Sequence, residues 1–302
     1  MRLFPLVQAV LVLLAHQPAQ APGLPDLTPR QKAALLVVSG VPAPPGATAV
    51  IVRPGDPVGA LPRHLLVFAD QEGGLVKAFP ELPPWSAASD YGSVAEAFAA
   101  GRATGRGLHR AGVDVDLAPV LDAPSGPLGS RHFRSAALGI AFARGLRAGG
   151  VAACAKHFPG LGSARLSTDE SPHVHGRLVR AEVRVFAAAI RDRVPCVMTS
   201  HALYGAFGGT RASTGSAAYR LLRRLGFDGV AITDSLDFAG SAHALPLARL
   251  AIRHGADLLL FTNGEDASRA VEMLVPLARR GLLDDRVARV LRLRHAAGIR
   301  SP

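Results

Sequence analysis

The sequence predicts one α/β domain, a (β/α)8 TIM-type barrel that is irregular at its first β/α unit. Short apolar, β-branched runs alternate with Ala/Arg/Leu-rich stretches of helical period from about Leu65 onward. Polar groups able to do chemistry follow directly after those apolar runs, where a parallel barrel gathers its βα loops. The 302 residues suffice for one large core, and they contain neither an internal repeat nor a low-complexity block.

The candidate strands are Ala34 to Val38, Ala49 to Val52, Leu65 to Ala69, Val113 to Val120, Val151 to Ala155, Val194 to Thr199, Val230 to Thr233 and Asp257 to Phe261. Helical patterns cover Val94 to Ala111, Leu138 to Ala148, Arg180 to Asp192, Ala217 to Leu225, Leu245 to His254 and Ala267 to Arg280, and Asp284 to Ala297 closes the ring. About ten residues with three prolines join the first two strands. A parallel crossover needs a dozen or more residues and usually a helix, so either the first helix is missing or one strand is reversed. Proline-rich Pro80 to Pro84 reads as a loop on the top of the barrel.

The net charge is +11, carried by 34 Lys and Arg, of which only Lys32, Lys77 and Lys156 are lysines. The arginines are scattered along helical stretches such as Tyr219 to Leu225 and Arg286 to Arg300. No zinc-finger spacing, RNA-binding aromatic signature or dense basic tract accompanies them, which argues against nucleic acid. A mild attraction to anionic polymers such as cell-wall glycans is expected. Cys154 and Cys196 lie in apolar strand-like runs and read as small hydrophobes; a structural disulfide need not be invoked, and they form no metal motif. Arg2, the apolar stretch Leu3 to Ala15 and the small-residue segment around Ala19-Gln20-Ala21 resemble a secretory signal peptide, although Pro5 interrupts the run. Residues 1–21 are therefore read as a signal peptide or N-terminal extension, and 22–302 as the barrel domain. This favours a secreted or envelope location over the cytoplasm. The stretch is too short for a stable membrane span.

The strand ends, in order, are Asp70-Gln71-Glu72-Gly73-Gly74, Ala118-Pro119-Val120-Leu121-Asp122, Lys156-His157-Phe158-Pro159-Gly160, Thr199-Ser200-His201, Thr233-Asp234-Ser235-Leu236-Asp237 and Thr262-Asn263. Carboxylates, imidazoles and one ammonium thus converge on one rim. Singly, each could cap a helix, and Asp237 or Ser235 is read that way. Together they suit a polyhydroxylated ligand that needs many hydrogen bonds and no cofactor. No Gly-rich phosphate loop follows a strand, which argues against a nucleotide or redox enzyme.

The chain resembles glycoside hydrolase family 3, and within it the single-domain β-N-acetylhexosaminidase branch. The resemblance covers about Thr28 to Ile299. It rests on five ordered blocks: Asp70 to Gly74, Gly112 to Asp122, Lys156 to Gly160, Val197-Met198-Thr199-Ser200-His201 and Ile232-Thr233-Asp234-Ser235-Leu236. It implies a retaining hydrolase that removes terminal β-linked N-acetylglucosamine, fitting cell-wall glycan turnover, with a carbohydrate substrate and neither metal nor organic cofactor. Asp234 matches the nucleophile. Asp70, Arg131, Lys156 and His157 match sugar-hydroxyl binders, and His201 a pocket or supporting residue.

The chain departs from the family pattern in two places. Leu161 replaces the second His of the usual Lys-His-Phe-Pro-Gly-His-Gly block, and Asp169 falls where the loop's catalytic His would stand. The acid/base is therefore Asp169, His173 or absent, in that order. A carboxylic acid can perform this proton transfer if burial raises its pKa. Leu75 stands where the family commonly has Arg, with Lys77 nearby as a compensating cation. Two other readings follow from these departures: a family 3 hydrolase of glucosidase type with a different sugar preference, or a degenerate barrel that binds glycans without turnover.

Overall fold

The computed structural model describes residues 26–299, so the signal-like segment 1–21 lies outside the described residues. Eight short strands form the ring of the fold: β1 (Val37–Val38), β2 (Ala49–Val52), β3 (Leu66–Ala69), β4 (Val115–Asp116), β5 (Ala152–Phe158), β6 (Cys196–Thr199), β7 (Val230–Thr233) and β8 (Leu259–Leu260). Strands β2 to β7 form one parallel sheet in chain order, and β1 pairs parallel with β8. Single parallel bridges, Ser39 to Val50 and Ile232 to Leu258, link that pair to the two edges of the larger sheet. The result is an α/β fold with a curled parallel sheet. Strands β2, β3, β6 and β7 are buried at every position, as continuous apolar runs with helices on one face and core on the other should be.

The helices are α1 (Pro29–Ala34), α2 (Val94–Ala111), α3 (Ala136–Ala148), α4 (Arg180–Arg191), α5 (Ser216–Arg224), α6 (Ser241–His254), α7 (Gly264–Arg279) and α8 (Asp284–Ala296). The irregular corner is resolved in favour of a missing helix. Residues 39–48 carry none, a single 3-10 turn (Val58–Ala60) separates β2 from β3, and neither β1 nor β2 is reversed. Eight regular β/α units are therefore not formed.

Three sequence expectations need correction. The run Ala34 to Val38 is not one strand, because its first residue ends α1. Thr28 caps that helix through the Gln31 amide, Gln31 returns the bond, and Pro29 occupies the first turn. The run Val113 to Val120 pairs regularly only at Val115–Asp116, since Pro119 has no N–H to give. Cys154 and Cys196 are opposite partners on β5 and β6 and form a disulfide, which the register, invisible in the sequence, decides.

The helix pair α2 and α3 shows why interior glycines are retained there. A Cβ on Gly101 would sit 2.2 Å from the Phe142 carbonyl oxygen, and one on Gly145 would sit 2.3 Å from the Phe98 oxygen. Backbone cannot yield as a side chain can. Gly101→Ala, which in a free helix gains about 1 kcal/mol of propensity, is expected here to be destabilising by about 1–3 kcal/mol through overpacking. Urea unfolding checks the sign; a variant more stable than the parent would refute the close crossing.

Candidate active site

The loops after the strands build one cavity of about 250 Å³. Asp70 follows β3, Lys156 and His157 lie in the C-terminal half of β5, and Asp234 follows β7. These four, with Arg131 and Asp169, line the cavity, closed below by Leu117, Met198 and Leu260.

Its centre is an ion network. The buried Lys156 ammonium donates to Asp70 at 2.5 Å and lies 2.6 Å from Glu72. Arg131 clasps the same Glu72 with Nε at 2.8 Å and Nη2 at 2.9 Å, and reaches Asp169 with Nη1 at 3.4 Å. Burial alone would raise the Glu72 pKa, but Lys156 and Arg131 outweigh it and hold the group at about 2. Burial likewise disfavours the Lys156 ammonium, while Asp70 and Glu72 more than offset that and raise its pKa. Lys156 thus stays a cation, fit to hold Asp70 as an acceptor for a ligand hydroxyl rather than to act as a base.

His157 is fixed from behind. Asp122 accepts from the ring Nδ1 at 2.8 Å, from the His157 amide at 3.1 Å and from the Leu161 amide at 2.7 Å. With Nδ1–H given to a carboxylate, the remaining ring nitrogen is left to the cavity. Asp234 accepts from the Ser235 amide at 2.8 Å. Burial pushes its carboxyl up, but His201, His157, the Ser235 amide and Lys156 together bring the pKa below the ordinary value. It is an anion held among donors.

His201 does not line the cavity. It is buried one layer out, bonded to Ser213 Oγ and the Ser235 carbonyl, each at 2.7 Å, and stacked on Phe238. Burial lowers its pKa, against the opposing pull of Asp234 and the Ser235 carbonyl, and its Nε2–H supports the backbone beside Asp234. Asp169 faces the cavity mouth with its side chain 73% exposed, and Ser167 donates to it at 3.1 Å. His173 is exposed and outside the cavity lining. Lys77 does not compensate for Leu75: it donates to the Pro80 carbonyl and covers the Trp85 ring, while Leu75 is 95% exposed. Neither Ser235 nor Asp237 caps α6. Asp237 instead accepts from Ser235, Thr262 and Asn263, tying the loop after β7 to the loop after β8. Among the described residues no cluster of three or more His, Cys, Asp or Glu could hold a metal ion.

Residues 55–293 match the profile described as glycosyl hydrolase family 3 N terminal domain. The chain belongs to glycosyl hydrolase family 3. It is a glycosidase. Similar proteins include the "Beta-hexosaminidase" of Alkalilimnicola ehrlichii, 35% identical over 249 residues that cover 73% of this chain and 72% of that one. The "Beta-hexosaminidase" of Methylococcus capsulatus is 33% identical over 239 residues, 71% of each chain. Among solved structures, a β-N-acetylhexosaminidase from Beutenbergia cavernae superposes with a TM-score of 0.76 at 29% identity, covering 90% of this chain and 99% of that one.

For this family 3 chain, sequence reasoning gave Glu72 and Asp122 no role, although both stood in the quoted blocks. The signal for Glu72 was its place two residues after Asp70 at a strand end, the spacing that returns a side chain to the same face. Asp116 was missed too. It is fully buried, accepts the Gln71 amide with one oxygen and has no partner for the other. Burial raises its pKa well above the ordinary value despite the Gln71 amide and Lys156, and the neighbouring Asp70 and Glu72 add to that rise.

The network also sets an acid limit on stability. The Glu72 pKa is depressed from 4.5 to about 2, so its contribution is complete above pH 4.5 and is lost as pH falls toward 2. A shift of that size corresponds to about 3 kcal/mol. The parent is expected to lose urea resistance between about pH 5 and 2 more steeply than Glu72→Gln. Parallel pH profiles for the two would show that Glu72 carries no such linkage.

Proposed function

We propose that this enzyme is a retaining glycosidase that removes terminal β-linked N-acetylglucosamine from glycans such as cell-wall fragments. The supporting observation is the gathering of Asp234, held anionic, with Asp70, Lys156, His157 and Arg131 around one small cavity. We read the strand ring as a (β/α)8-type barrel without its first helices. A volume of about 250 Å³ is below the ~300–1,000 Å³ of drug-sized sites and suits one terminal sugar. In this reading Asp70, Lys156, His157 and Arg131 bind sugar hydroxyls, and His201 positions the Asp234 loop. The Asp234 carboxylate attacks the anomeric carbon as the glycosidic oxygen takes a proton from Asp169, once bound substrate covers that exposed carboxyl, and departs. Asp169 then takes a proton from water, and that water releases the sugar from the Asp234 ester. His173 becomes the acid/base if the 163–173 loop repacks over a bound substrate.

The names of the relatives support the sugar, and Leu75 in place of the family's common arginine favours a second reading in which another β-hexose is preferred. A panel of aryl β-glycosides, with the first-formed anomer followed by NMR, tests both. N-acetylglucosaminide as best substrate with a β-product is the expected result. An α-product would refute retention, a best rate on glucoside would establish the second reading, and no turnover would mark a binding barrel.

A further inference from the structure

Helix α4 opens without the usual capping devices. Its N-cap is Val179, whose side chain caps nothing, and Glu182 stands three residues on, where a glutamate ordinarily reaches back to the N-cap amide. Glu182 turns away instead. It is 2% exposed, and its Oε1 accepts from the Gly162 amide at 2.7 Å and from the Ala123 amide at 3.0 Å. Its Oε2 is buried and has no partner among the described residues. A buried carboxylate with a bare oxygen costs the fold stability. Groups kept at such a cost are characteristic of functional sites, although Glu182 itself does not line the sugar cavity.

What Glu182 holds accounts for its retention. Ala123 follows Asp122, the carboxylate that orients His157 and accepts from the Leu161 amide. Asp122 and Glu182 thus take the consecutive amides of Leu161 and Gly162, and together they fix the turn by which the chain leaves β5. The turn is shaped around Glu182: a Cβ on Gly160 would sit 2.6 Å from the Glu182 Cβ, and one on Gly162 would sit 2.5 Å from its Oε1. The Gly162 carbonyl is held as well, by Ser125 Oγ at 3.0 Å.

The loop that carries Asp169 and His173 begins directly beyond Gly162. Its feet are tied together, because Ser163 Oγ donates to the Arg177 carbonyl at 3.1 Å and accepts from the Arg177 amide at 2.6 Å. On the returning side, the Val174 carbonyl accepts from the Leu203 amide at 2.8 Å, and His175–Gly176 pair in parallel with Leu203–Tyr204. Among the described residues the Asp169 carboxylate has only Arg131 and Ser167 as partners. Its placement over the cavity is therefore set largely from the base of the loop.

We propose that Glu182 is a positioning residue for the acid/base step: by clamping Gly162 beside Asp122, it sets the base of the 163–177 loop and so the reach of the Asp169 carboxyl to the glycosidic oxygen. Ser163 works with it as the tie across the loop's neck. This role rests on the reading that the loop supplies the proton. A misplacement of about 1 Å at a reacting group can cost about a hundredfold, and here the loss falls on proton transfer alone.

The test is a series of aryl β-N-acetylglucosaminides of graded leaving group, read as kcat/KM, with urea unfolding to check the fold. Glu182→Ala should slow the poorest leaving groups about a hundredfold and activated ones only a few-fold. Glu182→Gln keeps an acceptor oxygen for both amides and should recover most of that loss. Combined with Asp169→Asn, the alanine change should add no further loss on poor leaving groups, because the group it positions is gone. Ser163→Ala should show the same selectivity to a smaller extent, and it decides the matter if Glu182→Ala does not fold. Equal loss across all leaving groups, or selective losses that multiply in the double variant, would overturn the proposal. Selectivity in Asp169→Asn but not in Glu182→Ala sinks the clamp alone; selectivity in neither sinks the acid/base reading with it. Selectivity in Glu182→Ala alone upholds the clamp and moves the proton to His173 on the same loop.

Discussion

Asp234→Asn lowers turnover of aryl β-N-acetylglucosaminides by on the order of 10⁴-fold or more, with the urea midpoint nearly unchanged. The amide keeps the shape of the carboxylate and can still accept from the Ser235 amide. It loses the charge that makes the oxygen a nucleophile. Stability moves little because Lys156 keeps its two nearer carboxylates, Asp70 and Glu72. The environment of Asp234 makes the effect specific to chemistry: the surrounding donors keep the carboxyl ionised, so the parent needs no pH adjustment to attack. Steady-state kinetics beside urea unfolding separate the two effects. Turnover within tenfold of the parent would show that the nucleophile lies elsewhere.

The second large effect belongs to Asp169 and depends on the leaving group. Asp169→Asn should slow substrates with poor leaving groups by about 10²–10⁴-fold, the usual worth of general-acid assistance. Activated aryl glycosides depart with little protonic help and should still form the intermediate quickly, leaving its hydrolysis rate-limiting. Azide should then restore turnover, because it attacks the anomeric carbon of the Asp234 ester without needing a base and yields a β-glycosyl azide. Asp169 stands at the cavity mouth with Arg131 and Ser167 as partners, so the substitution should leave the buried network around Glu72 in place. Equal loss across all leaving groups with no azide product would falsify the assignment. His173→Ala would then be the next variant, since that residue lies on the same loop.

Much of this enzyme was legible without coordinates. The fully buried strands β2, β3, β6 and β7 announce themselves as unbroken apolar runs, because a strand covered on both faces has no polar side to alternate with. The helical pattern Val94 to Ala111 matches α2 to the residue, and the structure shows its ends set by a Ser93–Glu96 capping box and by Gly112 at a φ of 87°. The cavity residues Asp70, Lys156, His157 and Asp234 were legible for the same reason: parallel strands deliver their next residues to one rim.

Only the tertiary structure decided the rest. The pairing of Cys154 with Cys196 depends on the register of β5 against β6. The separation of His201 from the cavity depends on Ser213 and Ser235, each more than ten residues away. The roles of Glu72, Asp116 and Asp122 depend on what burial brings against each carboxylate: two cations fix Glu72 as an anion, burial with a single amide partner raises the Asp116 pKa, and a histidine makes Asp122 an orienting acceptor. A sequence gives each of these the same carboxylate. The dielectric surroundings and nearest charges, set by segments remote in the chain, determine which of them holds a proton and which can hold a ligand.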